Sequence, residues 1–207
     1  MVVGSSSIPP SKFRDRVKLE REQEILKAAQ DVFFEKGFER TSIDDIAERV
    51  GIGKGTVYLH FTSKEEILLA IMRVGAEGIV NRCHEAASSR NGAIEKLGAI
   101  LDVLVEHRFA NQRLMAIVSA ALPDFLGRKE KTGAGDSIRL MVAELVAQGQ
   151  TEGVISNRAN PRTAANALLT LVFVCPVSED TRQLSRQEVR DAASQLFFHG
   201  ITEETKQ

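Results

Sequence analysis

The side chains best placed to recognise a ligand lie in one stretch of this 207-residue chain, Thr41–Phe61, with the sequence TSIDDIAERVGIGKGTVYLHF. Between Gly53 and Phe61 it sets a cation, a hydroxyl, a phenol, an isobutyl group and an imidazole: Lys54, Thr56, Tyr58, Leu59 and His60. That mixture suits a nucleic-acid duplex. A lysine can donate to guanine O6 and N7, hydroxyls can donate to phosphate, and apolar groups can lie on sugars and thymine methyls. Catalytic chemistry fits less well. GIGKGT is neither G-x-x-x-x-G-K-[ST] nor G-x-G-x-x-G, and no strand is expected before it. H-E-x-x-H and G-x-S-x-G do not occur. Cys83 and His84 are adjacent, so on a helix they diverge by about 100° and cannot readily share a metal or a proton. Neither an enzyme nor a metal or cofactor site is expected.

The elements that must position these groups read as helices. A first helix is expected over Glu20–Lys36, where Ile25, Ala28, Ala29, Val32 and Phe33 form one apolar stripe. A second begins at Thr41 or Ser42, with Asp44 and Asp45 in its first turn, and buries Ile43, Ile46, Ala47 and Val50. Gly51 permits the positive φ of a sharp turn, and Gly53 and Gly55 permit close backbone approach. The third helix is expected from Lys54 to Phe61, with Val57 and Phe61 facing the second. Two short helices joined by Gly51-Ile52-Gly53-Lys54 have helix-turn-helix geometry, in which the second helix can enter a major groove. A purely structural helix pair shares the same pattern.

Ser63 with Glu66 predicts a capping box that opens a long fourth helix to about residue 87, and Ser185 with Glu188 predicts another. Further helices are expected near 92–106, 109–121, 136–150, 161–175 and 185–199, punctuated by Pro123, the Gly133/Gly135 loop and Asn160-Pro161. Pro176 predicts that the eighth helix ends or kinks there. The fold class is therefore all-α, with about nine helices. The Ser/Pro-rich start reads as a flexible tail rather than a secretory signal. Residues 1–19 are expected to be a flexible basic arm, 20–62 the helix-turn-helix domain and 63–207 a second helical domain. Arg14, Arg16 and Lys18 of the arm are candidates for a flanking minor groove.

Composition bounds the partners. The charged fraction is 27% and the formal net charge −1, from 27 Lys/Arg and 28 Asp/Glu. Residues 12–64 hold 11 basic and 10 acidic groups, so even this part is almost neutral. A generally sticky nucleic-acid binder is excluded, whereas a selective one that places its few cations well is not. Asp44, Asp45 and Glu48 are then expected to point away from DNA. No apolar run reaches the ~20 residues of a membrane span. Two cysteines, Cys83 and Cys175, are too few for a disulfide scaffold, and the cytoplasm is the expected compartment.

The residues ILKAAQDVFFEKGFERTSIDDIAERVGIGKGTVYLHF and the following SKEEIL resemble the N-terminal signature of the tetracycline-repressor (TetR) family of bacterial transcriptional regulators, over about residues 21–70. The resemblance implies a DNA-binding head and a C-terminal domain that binds a small, largely apolar effector. It also implies a homodimer, formed through the last two helices, that reads a palindromic operator and is released from it by the effector. Carried over by position, it implies that Lys54, Gly55 and Thr56 open the recognition helix and contact base edges and phosphate. Tyr58 and His60 would touch the backbone, and Leu59 would reach bases. Ser42 would cap the second helix beside a phosphate, and Lys64 would contact a phosphate at the start of the fourth. Ala164, Ala165, Leu168, Leu171 and Val172, with Val189, Ala192, Ala193 and Leu196, make two stripes consistent with the dimer. His107, Met115, Asn166 and Phe173 are the candidate effector contacts. Two other readings stay open: a redox regulator using Cys83 or Cys175, and a ligand-free architectural DNA-binding protein.

Overall fold

The structure, a computed structural model, describes residues 10–121, 133–173 and 184–202. Pro123, Cys175, Pro176 and the first nine residues of the tail lie outside the described residues. Among the described residues the chain is all-α, without strands. The helices are α1 (Pro10–Lys36), α2 (Ile43–Val50), α3 (Lys54–Tyr58), α4 (Lys64–Ser88), α5 (Ala93–Ala110), α6 (Gln112–Ala121), α7 (Gly133–Thr151), α8 (Pro161–Phe173) and α9 (Arg186–Ile201).

The helix α1 begins at Pro10 rather than Glu20, so residues 10–19 are helical and not a loose arm. Proline suits a first helical position, where its missing N–H would have had no partner. The pairs Arg16–Glu20 and Lys18–Glu22 join successive turns. Each such pair supports an exposed helix by about 0.2–0.5 kcal/mol. This segment has no apolar stripe, which is why hydrophobic periodicity does not reveal it.

The chain packs as two units. The first contains the residues up to Met72 together with α6 from Leu114 onward. Its core joins Ile25, Ala29 and Phe33 of α1, Ile43 and Ile46 of α2, and Val57 and Phe61 around α3. Ile67, Leu68 and Ile71 of α4 complete it with Leu114 and Val118 of α6. The division therefore falls inside α4, not at residue 62/63, because the first two turns of that helix bury their apolar face among α1–α3.

The second unit buries Ile79 and Cys83 of α4 and Leu97, Ile100, Leu101 and Leu104 of α5. Val142 and Val146 of α7, Leu168 and Val172 of α8, and Ala193 and Phe197 of α9 share that core. The stripes expected to pair two copies are thus largely spent inside this unit. Ala164, Ala165, Leu168, Val172, Val189 and Ala193 are buried, whereas Ala192 and Leu196 are left outside.

Both expected capping residues sit at helix starts. Ser185 forms the full box with Glu188. At α4 the box is altered: Ser63 Oγ accepts from the Glu66 N–H at 3.2 Å, but the Glu66 carboxylate accepts from the N–H and hydroxyl of Thr62 instead.

Candidate nucleic-acid interface

The helix α2 starts where its sequence stops the preceding loop. Ser42 Oγ accepts from the Asp45 N–H at 3.2 Å, and the Asp45 carboxylate accepts from Ser42 N–H at 2.8 Å, a reciprocal box. Such an N-cap contributes about 0.5–2 kcal/mol. Lys36 first, then the backbone and hydroxyl of Ser42, hold the Asp45 carboxyl well below the usual range. Ser42 is therefore a helix cap whose hydroxyl already donates to Asp45 at 2.7 Å.

The helix ends at Gly51, whose φ of 77° is left-handed. Its N–H donates back to the Ala47 and Glu48 carbonyls, closing the end of α2. This conformation strains any residue with a Cβ. The turn delivers Val57 and Phe61 into the core against Ile43 and Ile46, as the i, i+4 spacing predicts. The regular helix α3 stops at Tyr58, earlier than the expected Phe61. Hydrogen bonds from His60 and Phe61 to the Val57 carbonyl tighten the continuation.

Burying Val57 and Phe61 turns the other side of α3 outward. Leu59 is 81% exposed and Tyr58 47% exposed, and Lys54 and Gly55 are exposed beside the half-buried Thr56. A Cβ built on Gly53 or Gly55 would meet nothing within 4 Å, and neither residue has positive φ. Nothing inside the molecule requires glycine at these two positions. The surface they leave is low and open, flanked by two apolar side chains and an ammonium.

Besides Ser42, three more of the expected contact residues have partners within the unit. Lys54 Nζ lies 2.6 Å from Asp44 Oδ2, and this pairing raises the lysine's pKa. Asp44 is thus turned toward the start of α3, contrary to the expectation that it points away from that surface. His60 Nδ1 lies 3.2 Å from Glu22 Oε1 of α1, with most of the imidazole buried. Lys64 Nζ donates to the carbonyls of Phe38, Glu39 and Thr41, at 2.9, 3.1 and 3.4 Å, and lies 4.5 Å from the centre of the Phe38 ring. An ammonium has three protons, and these carbonyls occupy them, so Lys64 pins the loop between α1 and α2. Sequence reasoning does not find Asp44, Glu22 or Phe38 as partners, since no local spacing links them to Lys54, His60 or Lys64.

The candidate effector contacts are divided between the two units. Met115 belongs to the first unit and is partly exposed. In the second unit His107 is half-buried, while Asn166 and Phe173 stand exposed one above the other on α8. The Asn111 amide meets His107 Nδ1 at 3.3 Å. Burial first, then the charge of Arg82, lowers the imidazole's pKa. Cys83 is fully buried, and desolvation pushes its thiol up to about 11 despite Arg82 beside it.

An all-α chain that presents a helix-turn-helix in one unit and a separate helical unit after it belongs to the class of two-part helix-turn-helix proteins. Comparison with known proteins says what the chain is similar to. Residues 25–71 match the family model of bacterial regulatory proteins, tetR family. The transcriptional activator FasR of Mycolicibacterium smegmatis is 30% identical over 99 residues, 46% of this chain and 45% of FasR. This chain thus spans less than half the length of that relative. The transcriptional regulator UidR of Escherichia coli is 27% identical over 167 residues, 79% of this chain and 83% of UidR. A crystal structure of a TetR/AcrR-family regulator from Thermobifida fusca superposes with a TM-score of 0.73 at 25% identity, covering 87% of this chain and 98% of that one. Over residues 25–71 the chain is thus similar to the tetR family of bacterial regulatory proteins, and its fold is similar to that of a TetR/AcrR-family regulator.

Proposed function

We propose that this protein is a homodimeric transcriptional repressor that reads a palindromic operator and is released from it by a small, largely apolar molecule. The observation that carries this reading is the outward face of α3. There Leu59 and Tyr58 are exposed to water beside Lys54, over a backbone kept bare by Gly53 and Gly55. Exposed apolar groups on a rigid helix are suited to sugars and thymine methyls, and Lys54 to a guanine edge. Lys54, Thr56 and Leu59 take the reading role, while Tyr58 and the Gly55 backbone meet the phosphate chain. Ser42, His60 and Lys64 act from behind that surface by holding α2, α1 and the loop between them in place.

Dimerisation falls to the outer faces of α8 and α9. Asn166 and Phe173 share one exposed stripe of α8, and Ala192 and Leu196 another of α9. They fit a partner helix better than an effector. His107, half-buried in a unit lined by Leu, Ile and Val, remains the polar group suited to meet an apolar ligand. The relatives include an activator, FasR, and a repressor, KstR2 of Mycolicibacterium smegmatis, 30% identical over 93 residues. A thiol switch at Cys83 is disfavoured, because a sensor thiol needs exposure and a lowered pKa.

The test is selection from a pool of randomised double-stranded DNA by the purified full chain. The expected product is a palindrome whose half-sites are about one helical turn, ~34–36 Å, apart. Recovery of no sequence, with no retention of duplex at low salt, overturns the reading. A thermal-shift screen of lipophilic compounds then tests release: compounds that stabilise the protein must lower its affinity for the selected duplex.

A further inference from the structure

The extra turns at the start of α1 carry a charge pattern that the helix-turn-helix does not use. Arg14, Lys18 and Arg21 fall at i, i+4 and i+7, so they line one side of the helix. The same stripe continues into Ile25, which is fully buried in the core of the first unit. Up-chain of Ile25 the stripe therefore leaves the core and becomes exposed, with Arg14 and Lys18 both in water. Asp15 and Glu20 lie on other sides of the helix, with Glu20 paired to Arg16. Arg21 is paired with Glu24 at 2.7 Å, and Lys18 reaches Glu22 only at 3.9 Å.

The place of this stripe is set by Glu22, whose carboxylate touches His60 directly after the exposed Leu59. Lys18 is one helical turn beyond Glu22 and Arg14 two, about 6 and 12 Å further along at ~1.5 Å per residue. Two cations thus stand one and two turns beyond the α1 residue that meets His60, on a continuous helix. A helix is about 10–12 Å across with its side chains, whereas the minor groove is about 6 Å wide. The helical state of residues 10–19 therefore keeps the backbone of this segment out of the minor groove. Side chains on such a helix reach the phosphates first.

We infer that the N-terminal turns of α1 form a second, sequence-independent contact, in which Arg14 and Lys18 bind DNA phosphates flanking the operator half-site. This inference rests on the DNA-binding reading above and adds to it the footprint and the source of its affinity. In a nearly neutral head, Arg14 and the loosely held Lys18, 3.9 Å from Glu22, add cations to the more tightly held Lys54 and Lys64.

The test uses the full chain and the selected palindrome in two lengths, with and without about ten flanking base pairs, titrated by fluorescence anisotropy at several salt concentrations. On the longer duplex the R14A/K18A variant is expected to bind about tenfold or more weakly. Each phosphate that is no longer neutralised should reduce the slope of log K against log salt by about 0.9, so a dimer that gives up two per protomer should fall by about 3.6. The R14K/K18R variant should restore both. On the short duplex, wild type and R14A/K18A should bind alike. Wild-type binding to the long duplex with R14A/K18A unchanged in affinity and slope overturns this inference alone. Equal weakening on both lengths also overturns it, since the effect would then not come from the flanks. Failure of the wild type on both duplexes overturns the functional reading and this inference with it.

Discussion

The ammonium of Lys54, the first residue of α3, lies 2.6 Å from the carboxylate of Asp44 in the first turn of α2. The two helices of the helix-turn-helix are thus linked by an exposed ion pair on the surface proposed to meet DNA. Lys54 can donate to a guanine only by leaving or sharing Asp44, and Asp44 itself opposes the approach of phosphate. The Lys54→Ala variant should lose roughly ten- to hundredfold in affinity for the selected duplex and little for random duplex. Asp44→Asn should raise affinity for both and narrow the difference between them. Anisotropy titrations at about 0.15 M salt, near physiological ionic strength, check this, and an unchanged Asp44→Asn would place the pair outside the interface.

Lys64 yields a contrasting outcome. Its ammonium is held by three carbonyls of the α1–α2 loop and by the Phe38 ring. The Lys64→Met variant keeps most of the side-chain stem but removes these donors. It should lower the unfolding free energy by about 1–3 kcal/mol in urea titration and leave the salt slope of DNA binding unchanged. A slope that falls by about one, with stability intact, would instead assign Lys64 to a phosphate.

His107 should make the stability of the second unit depend on pH. Burial favours its neutral form, and the Asn111 amide, a donor, requires an unprotonated Nδ1. Its folded pKa lies below the ~6.5 of the unfolded chain. The unfolded state therefore takes up the proton first as pH falls. The stability tied to neutral His107 is complete above about 6.5 and is lost as pH drops through that value toward the lowered folded pKa. Urea titrations at about pH 7.5 and about pH 5.5, on either side of that value, should show a smaller loss in His107→Gln than in wild type. Equal losses would remove His107 as the cause.

Leu196 is 63% exposed on α9, at the edge of the face whose Val189, Ala193 and Phe197 fill the core. With Ala192 one turn before it, Leu196 is the large apolar group on the face of α9 proposed above to meet a second copy. Leu196→Glu should shift the protein from dimer to monomer in light scattering, while each monomer keeps its helical content by circular dichroism. It should also weaken operator binding steeply, since a palindrome is read by two heads. A dimer of unchanged stability in this variant would move the interface elsewhere.

The helix-turn-helix is legible in the sequence because its determinants are local. The Ile43, Ile46, Val57 and Phe61 spacing, the cap at Ser42 and the left-handed Gly51 each act within a turn or two of chain. The same locality explains the failures. The helical state of residues 10–19 escapes because no continuous apolar stripe marks it, and the period overruns the end of α3 because Phe61 keeps the helical spacing after the helix has stopped. The stripes of α8 and α9 are visible, but periodicity does not say whether a buried face meets its own core or a second copy.

The sequence by itself determined an all-α chain and the surface of α3, since helical period, caps and glycines are properties of neighbouring residues. Only the tertiary structure decided which side chains on that surface are free to act. Lys54 meets Asp44 across 10 residues, Lys64 meets the Phe38 carbonyl across 26, and His60 meets Glu22 across 38. Such partners are set by how helices pack, where a reach of a few ångströms is decided by the depth and angle of the core beneath. The near-neutral charge of the chain follows the same division: its sum is read from the residues, but which cations remain for DNA is settled only once the ion pairs have formed.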